Sequence, residues 1–414
     1  MQRITTAQSF DTGVERLQKR QSELADAQER LTSGKRVSKA SDDPTAAARA
    51  ERALATQARS QASQRALDAS RNAMALTESG LADAGELMHQ AREALVASGN
   101  PSYSDAERFG VAERLSAVRQ QLLSIANRGD GDGGYLFGGQ GSSQSPYVDT
   151  ATGVSFRGTP GEVQVASDEP LPRSVDGQAA WLASPSGNGL FETHAAATLP
   201  NSAGSWITSG RVADPQVFYA ATSPPAVADP ASLLYRVDFV TTATGSTYTV
   251  TKDGVATALT NAPYISGQAI EIDGMAFAVN GVPAAGDAFE ISLATPSLSV
   301  FDTLDRAIAE LRTPLRSGAA VAQGVQHGLA DLDGSMTALQ SLRSRVGEVL
   351  NRADMVEGRI AEQSLAAQTE RSNAEDLDMV KAISDFQNRQ TGYEAALKTY
   401  ASVQRMSLFQ YLGN

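Results

Sequence analysis

Three histidines and a glycine-spaced pair of aspartates are the residues whose chemistry has to be weighed first. His89, His194 and His327 lie far apart in sequence, and none stands in H-E-x-x-H, the spacing that sets two zinc ligands on one helix face. His194 is followed by Ala195-Ala196-Ala197. Asp130-Gly131-Asp132-Gly133 has the opening ligands of a calcium loop, but no glutamate stands at the twelfth position. A helix end running into a glycine turn accounts for it better. With no Cys, neither a thiolate metal site nor a disulfide framework is possible. There is no G-x-S-x-G, P-loop or dinucleotide fingerprint, and the carboxylates read as solvated helix faces. The expectation is no catalytic, cofactor or metal site, and a chain that is not an enzyme.

Composition points the same way. The 414 residues suffice for two or three domains. Apolar residues make up 41% but aromatics only 6%, which is thin for one compact core and ordinary for long Ala-rich helices. A net charge of −12 argues against a partner bound through nucleic-acid phosphates. No run approaches the roughly 18 apolar residues of a membrane span. Met1 to Asp11 carries no apolar stretch of signal-peptide length, so any export is expected to leave its signal uncleaved.

What positions these residues is a three-part chain. Thirteen of 16 prolines and both Trp (Trp181, Trp206) fall between residues 142 and 296. That segment has 5 basic residues against 14 acidic, whereas residues 1–141 balance 18 against 18 and residues 297–414 have 12 against 15. Two proline-poor arms flank an acidic, proline-rich insert.

Both arms read as helix. Leu17, Leu24 and Leu31 recur every seven residues, with Phe10 and Val14 upstream. Thr32-Ser33-Gly34 breaks the pattern, and Ser41-Asp42-Asp43-Pro44 predicts a new start: a carboxylate caps free N–H groups and proline takes the first helical position. That helix runs to Asn100-Pro101 on a small-residue seam. Ser104 with Glu107 predicts a capping box, opening a helix whose seam is Val111, Leu115, Val118, Leu122 and Ile125. In the last arm, Phe301, Leu304, Ile308 and Leu311 make a short helix ending at Thr313-Pro314. A long one follows along Leu339, Leu342, Val346, Val349, Val356 and Ile360. Ile383, Phe386, Tyr393, Leu397, Tyr400 and Tyr411 mark the final one. The insert switches to period two at Tyr235, Val237, Phe239, Tyr248 and Val250, with hairpin signals at Asp273-Gly274 and Asn280-Gly281. Residues 180–232 show little pattern.

The first helix offers few large apolar side chains for its length, so alone it is marginal. The C-terminal helix is its best internal partner, in an antiparallel pair that brings both chain ends together. Even that pair has polar gaps at Gln21 and Gln28, so the termini are expected to stay disordered in the monomer and fold when subunits stack.

Leu24 to Val37 (LADAQERLTSGKRV), followed by Ser41-Asp42-Asp43-Pro44, resembles the N-terminal signature of flagellins and hook-associated proteins. Asn373 to Ile383 (NAEDLDMVKAI) and the ladder Gln387, Gln390, Tyr393, Leu397, Ser407-Leu408 resemble the flagellin C-terminus. The resemblance covers roughly 1–141 and 297–414. Tyr135-Leu136-Phe137-Gly138-Gly139, and the pair Ile270–Phe277 with Pro283–Phe289, resemble the hook-associated branch of that family. The fold class so implied is α+β, mainly α: a long antiparallel helical rod built from both chain ends, with an inserted antiparallel β-rich domain. Its expected parts are 1–40 with 375–414 for assembly, 41–141 with 297–374 for the rod, and 142–296 for the outer domain. The resemblance implies an extracellular flagellar subunit that joins hook to filament by axial helix packing. Its implied partners are itself in a ring, an adjacent hook-associated protein, flagellin and an export chaperone, with neither nucleic acid nor membrane insertion. Leu17, Leu24, Leu31, Ile383, Phe386, Leu397 and Tyr400 are the expected assembly contacts. The alternatives are a filament flagellin, which copy number per flagellum separates, and a secreted coiled-coil adhesin, which binds a ligand as a free monomer.

Overall fold

The computed structural model describes residues 6–141, 143–165, 170–196, 204–224, 229–243 and 245–412. The side chains of Phe10, Leu408 and Tyr411 lie outside that description. Helix α1 (Thr6–Ser33) stops at Gly34, whose φ of 69° is the left-handed value a residue without Cβ adopts at a helix end. Helix α2 (Pro44–Ser98) opens as the sequence requires, with Asp43 Oδ1 accepting the Ala46 N–H at 3.0 Å. Its 55 residues, at 1.5 Å each, make it about 80 Å long. Helix α3 (Asp105–Ala126) begins with the capping box of Ser104 and Glu107.

Residues 135–185 then do something periodicity did not disclose. Leu136 and Phe137 are fully buried. Strands β1 (Tyr147–Thr150) and β2 (Gly153–Phe156) form a hairpin, followed by helix α4 (Gln178–Leu182) and the short strand β3 (Ser184–Pro185). Trp181 of α4 is completely buried. Its ring stacks on Phe301 at 5.9 Å and 15°, meets Phe137 edge-on at 5.7 Å, and meets Tyr147 at 6.4 Å. All of these belong to one core with Leu81, Leu115, Leu122, Leu304 and Leu339. The core of the helical body therefore continues past residue 142, where the insert was expected to begin.

A buried guanidinium pins the same region. Arg119 of α3 makes a bidentate bond to Asp149 of β1 (2.7 and 2.9 Å), and its Nε lies 2.7 Å from Asp305. The two carboxylates hold it above the usual arginine range against the opposing effect of burial.

The β domain has a separate core. Its elements are β4 (Phe191–Ala195), β5 (Ser205–Ile207), β6 (Arg211–Val212), α5 (Pro215–Thr222), β7 (Leu234–Thr242), β8 (Gly245–Lys252), β9 (Val255–Ala256), β10 (Ala262–Pro263), β11 (Ala269–Ile272), β12 (Met275–Gly281) and β13 (Ala288–Leu293). One antiparallel sheet runs β10-β8-β7-β13-β4 with β9 on β8; the other runs β11-β12-β5 with β6 on β12. The register sets Val237 opposite Val250 and Phe239 opposite Tyr248, so the alternating apolar residues share a face. Both sheets contribute to a core that includes Val237, Phe239, Phe277, Val279, Phe289 and Ile291. Strand β14 (Pro296–Leu298) returns to pair with β3.

Asp273-Gly274 is the expected hairpin turn, with φ of 45° and 79°. Asn280-Gly281 is not. Strand β12 continues through it and pairs with β5, setting Asn280 opposite Trp206, while β13 pairs with β7 and β4. Gly281 is needed for another reason: at φ 91°, a Cβ would overlap the carbonyl oxygen of Gly204. Gly281→Ala is expected to cost about 1–3 kcal/mol of β-domain stability, read by chemical denaturation. Unchanged stability would contradict this account of Gly281.

Helices α6 (Val300–Arg312), α7 (Gly318–Glu375) and α8 (Met379–Leu412) complete the chain. The structure divides into two compact units, residues 1–65 with 355–414, and residues 66–354. The second holds both cores above.

Candidate assembly interface

The terminal unit is built by two turns that lock onto each other. Between α1 and α2, the N–H groups of Arg36 and Val37 both donate to the Glu375 carbonyl, at 2.7 and 3.4 Å. In return Leu377 N–H donates to the Gly34 carbonyl at 2.9 Å. Lys35 pairs with Glu375 at 2.9 Å, and the Arg36 guanidinium donates to the Ala374 carbonyl at 2.8 Å. The acidic pair divides its work. Asp42 accepts the Ser38 and Lys39 N–H groups, both at 3.1 Å, and so closes the loop. Asp43 caps α2 and pairs with Arg36 at 3.2 Å. Backbone N–H donors hold both carboxyls below the usual range, with Arg36 adding to the effect at Asp43. Asp378 caps α8 through the Val380 and Lys381 N–H groups. The two terminal signatures therefore meet in space, around a small core of Val37, Ala46, Ala50 and Ala374.

From that joint α1 and α8 run antiparallel. The Arg389 guanidinium donates to the Glu23 carbonyl at 3.2 Å, Gly392 lies beside the Arg20 guanidinium, and Gly13 lies beside the Tyr400 ring. The expected pairing of the chain ends is thus present. Its burial is poor: from Asp11 to Ser33 and from Met379 to Ser402 no residue is fully buried. Leu17, Leu24, Leu31, Phe386 and Tyr400 are half-buried, whereas Ile383 is 46% and Leu397 42% exposed. The seven expected contacts therefore split into a seam of five and an exposed pair.

Sequence reasoning missed other apolar residues of this unit. Met355 and Leu365 on α7, and Val380 at 83% exposure on α8, face solvent. They sit off the three- and four-residue ladders, so only the folded helix positions mark them.

The residues with chemical potential elsewhere are placed plainly. His89 is exposed on α2, His194 lies 3.4 Å from Glu290, and His327 is half-buried on α7. Asp130 accepts the N–H groups of Asp132 and Gly134, and Arg173 pairs with both aspartates, so the glycine turn is filled from within the chain. Among the described residues, no group of three or more metal-ligating side chains converges, and no helix is long and apolar enough to cross a membrane.

Comparison with known proteins matches the profile "Bacterial flagellin N-terminal helical region" to residues 4–142 and "Bacterial flagellin C-terminal helical region" to residues 329–412. Flagellar hook-associated protein 3 of Salmonella typhimurium is 25% identical over 417 residues, covering 99% of each chain. Its namesake in Escherichia coli is 23% identical over 414 residues, again covering 99% of each. Among solved structures, hook associated protein-3 from Legionella pneumophila superposes with a TM-score of 0.69 at 26% identity, covering 77% of this chain and 97% of that one. The FlgL structure from Xanthomonas campestris gives 0.66 at 25% identity, covering 78% and 99%.

Proposed function

The chain belongs to the bacterial flagellin family, and from that premise we propose that it is the subunit joining the flagellar hook to the filament. The observation that carries this reading is the full-length match to hook-associated proteins 3, which spans both arms and the β-rich insert together. The physical argument is the terminal unit. Its helix pair leaves Ile383, Leu397 and Val380 open, and copies or neighbouring flagellar subunits stacked on it complete their burial. On this reading the partners are further copies in a ring, an adjacent hook-associated protein on one side and flagellin on the other. An export chaperone and secretion without a cleaved leader belong to the same proposal. The terminal pair then gains its full order only on assembly, so amides of α1 in a dilute monomer should exchange far faster than those of α3.

Deletion of the gene tests the reading. The expected result is cells with hooks but no filaments and flagellin shed into the medium. A filament subunit gives bald hooks without shed flagellin, and normal filaments on the deletion strain would overturn the proposal.

A further inference from the structure

The β domain rests on α7 through polar groups, not through a shared apolar core. Its own core draws on no residue of α6 or α7. Where the two meet, Gln323 Oε1 accepts the Ile207 N–H of β5 at 2.7 Å, and its amide nitrogen contacts His327 Nε2. One turn on, Asp331 accepts the Gly187 N–H at 3.1 Å and pairs with Arg306 of α6 at 3.2 Å. Between them lies a cavity of about 340 Å³ lined by Glu192, His194 and Ser209 from the β domain and by Arg306, His327 and Asp331 from the helices. Covalently the domain hangs on the short β3–β14 pair.

We infer that this seat is an acid-released latch: protonation of His327 undocks the β domain from α7 while both cores stay folded. Around the trigger stand Gln323 and Asp331 on α7, Arg306 on α6, and Glu192 and His194 on β4; Glu310 of α6 acts on Asp331, and Glu290 of β13 pairs with His194 and Arg236. Burial, with His194 and Arg306 adding to it, holds the docked His327 down at about 4 against an ordinary 6.5. An undocked His327 in water takes up its proton at the ordinary value. Docking is therefore undiminished above pH 6.5 and weakens as pH falls toward 4, by at most about 300-fold. Asp331 works against this. Burial raises its carboxyl, so protonating it relieves a penalty even as it removes the charge paired with Arg306 and weakens the bond from Gly187. The net slope is thus shallower than tenfold per pH unit.

Because the chain has no cysteine, a pair of spin labels can be introduced cleanly, at Val255 on the β domain and Val96 on α2, both exposed. Pulsed EPR on the full-length protein should give one narrow distance at pH 7.5 that broadens below about pH 5.5, with helical circular dichroism unchanged. His327→Leu should keep the distance narrow to pH 4.5. A wild-type distance that stays narrow to pH 4.5 would overturn the latch, and so would equal broadening in wild type and variant. If the variant does not fold, the His327 ring carbon signal in the wild type decides: titration well below 6.5 that tracks the broadening supports the latch, and titration at 6.5 refutes it.

Discussion

Leu24→Asp is expected to abolish filament growth while residues 66–354 melt as in the wild type. Leu24 is half-buried on the seam of α1, one residue from Glu23, whose carbonyl accepts the Arg389 side chain of α8. A carboxylate there must either stay hydrated, which parts the helices, or be buried unpaired, which costs several kcal/mol. A loss of 1.4 kcal/mol already lowers an association constant tenfold, and in the proposed ring the penalty would recur in every subunit. Motility of a deletion strain complemented with the variant should fall to background. Micrographs should show bare hooks, and thermal melting of the purified variant should leave the main transition unmoved. Normal swimming would remove α1 from the assembly surface.

Trp181→Ala costs about 3–5 kcal/mol, a large share of the roughly 5–15 kcal/mol that a domain has in total. The side chain is completely buried and touches three aromatic rings contributed by α6, β1 and the Tyr135–Gly139 segment. Removing it leaves a cavity that several elements would have to close together. Trp206→Ala is the control. Trp206 is half-buried on β5 and opposes Asn280, so its loss should cost markedly less and be felt in the β domain. Denaturant midpoints of the two variants check this, and equal losses would show that the complete burial of Trp181 does not set its cost.

The helical arms and their chemistry were legible because the signals are local. A heptad of leucines, Pro44 behind Asp43, and Ser104 three residues before Glu107 each act within a turn or two of the backbone, and each stands where it was expected. The terminal signatures were legible as a resemblance, but their reason was not. Only the fold shows that Glu375 receives Arg36 and Val37 at the joint between the arms. Asn280-Gly281 was misread because the glycine answers to Gly204, far away in sequence, and not to the adjoining turn.

What the amino-acid order determined by itself was the set of elements: capped helices with apolar stripes at both ends, alternating strands between, and two chain ends unable to hide their stripes alone. What only the tertiary structure decided was ownership. Trp181, Tyr147 and Phe137 join the helical core although composition groups Trp181 and Tyr147 with the insert. His327 lies in a cavity although its helix would equally well carry it on an open face. Periodicity fixes which side of an element is apolar, through backbone geometry that every residue shares. Which element covers that side depends on contacts between residues a hundred or more positions apart, and those exist only once the chain has closed on itself.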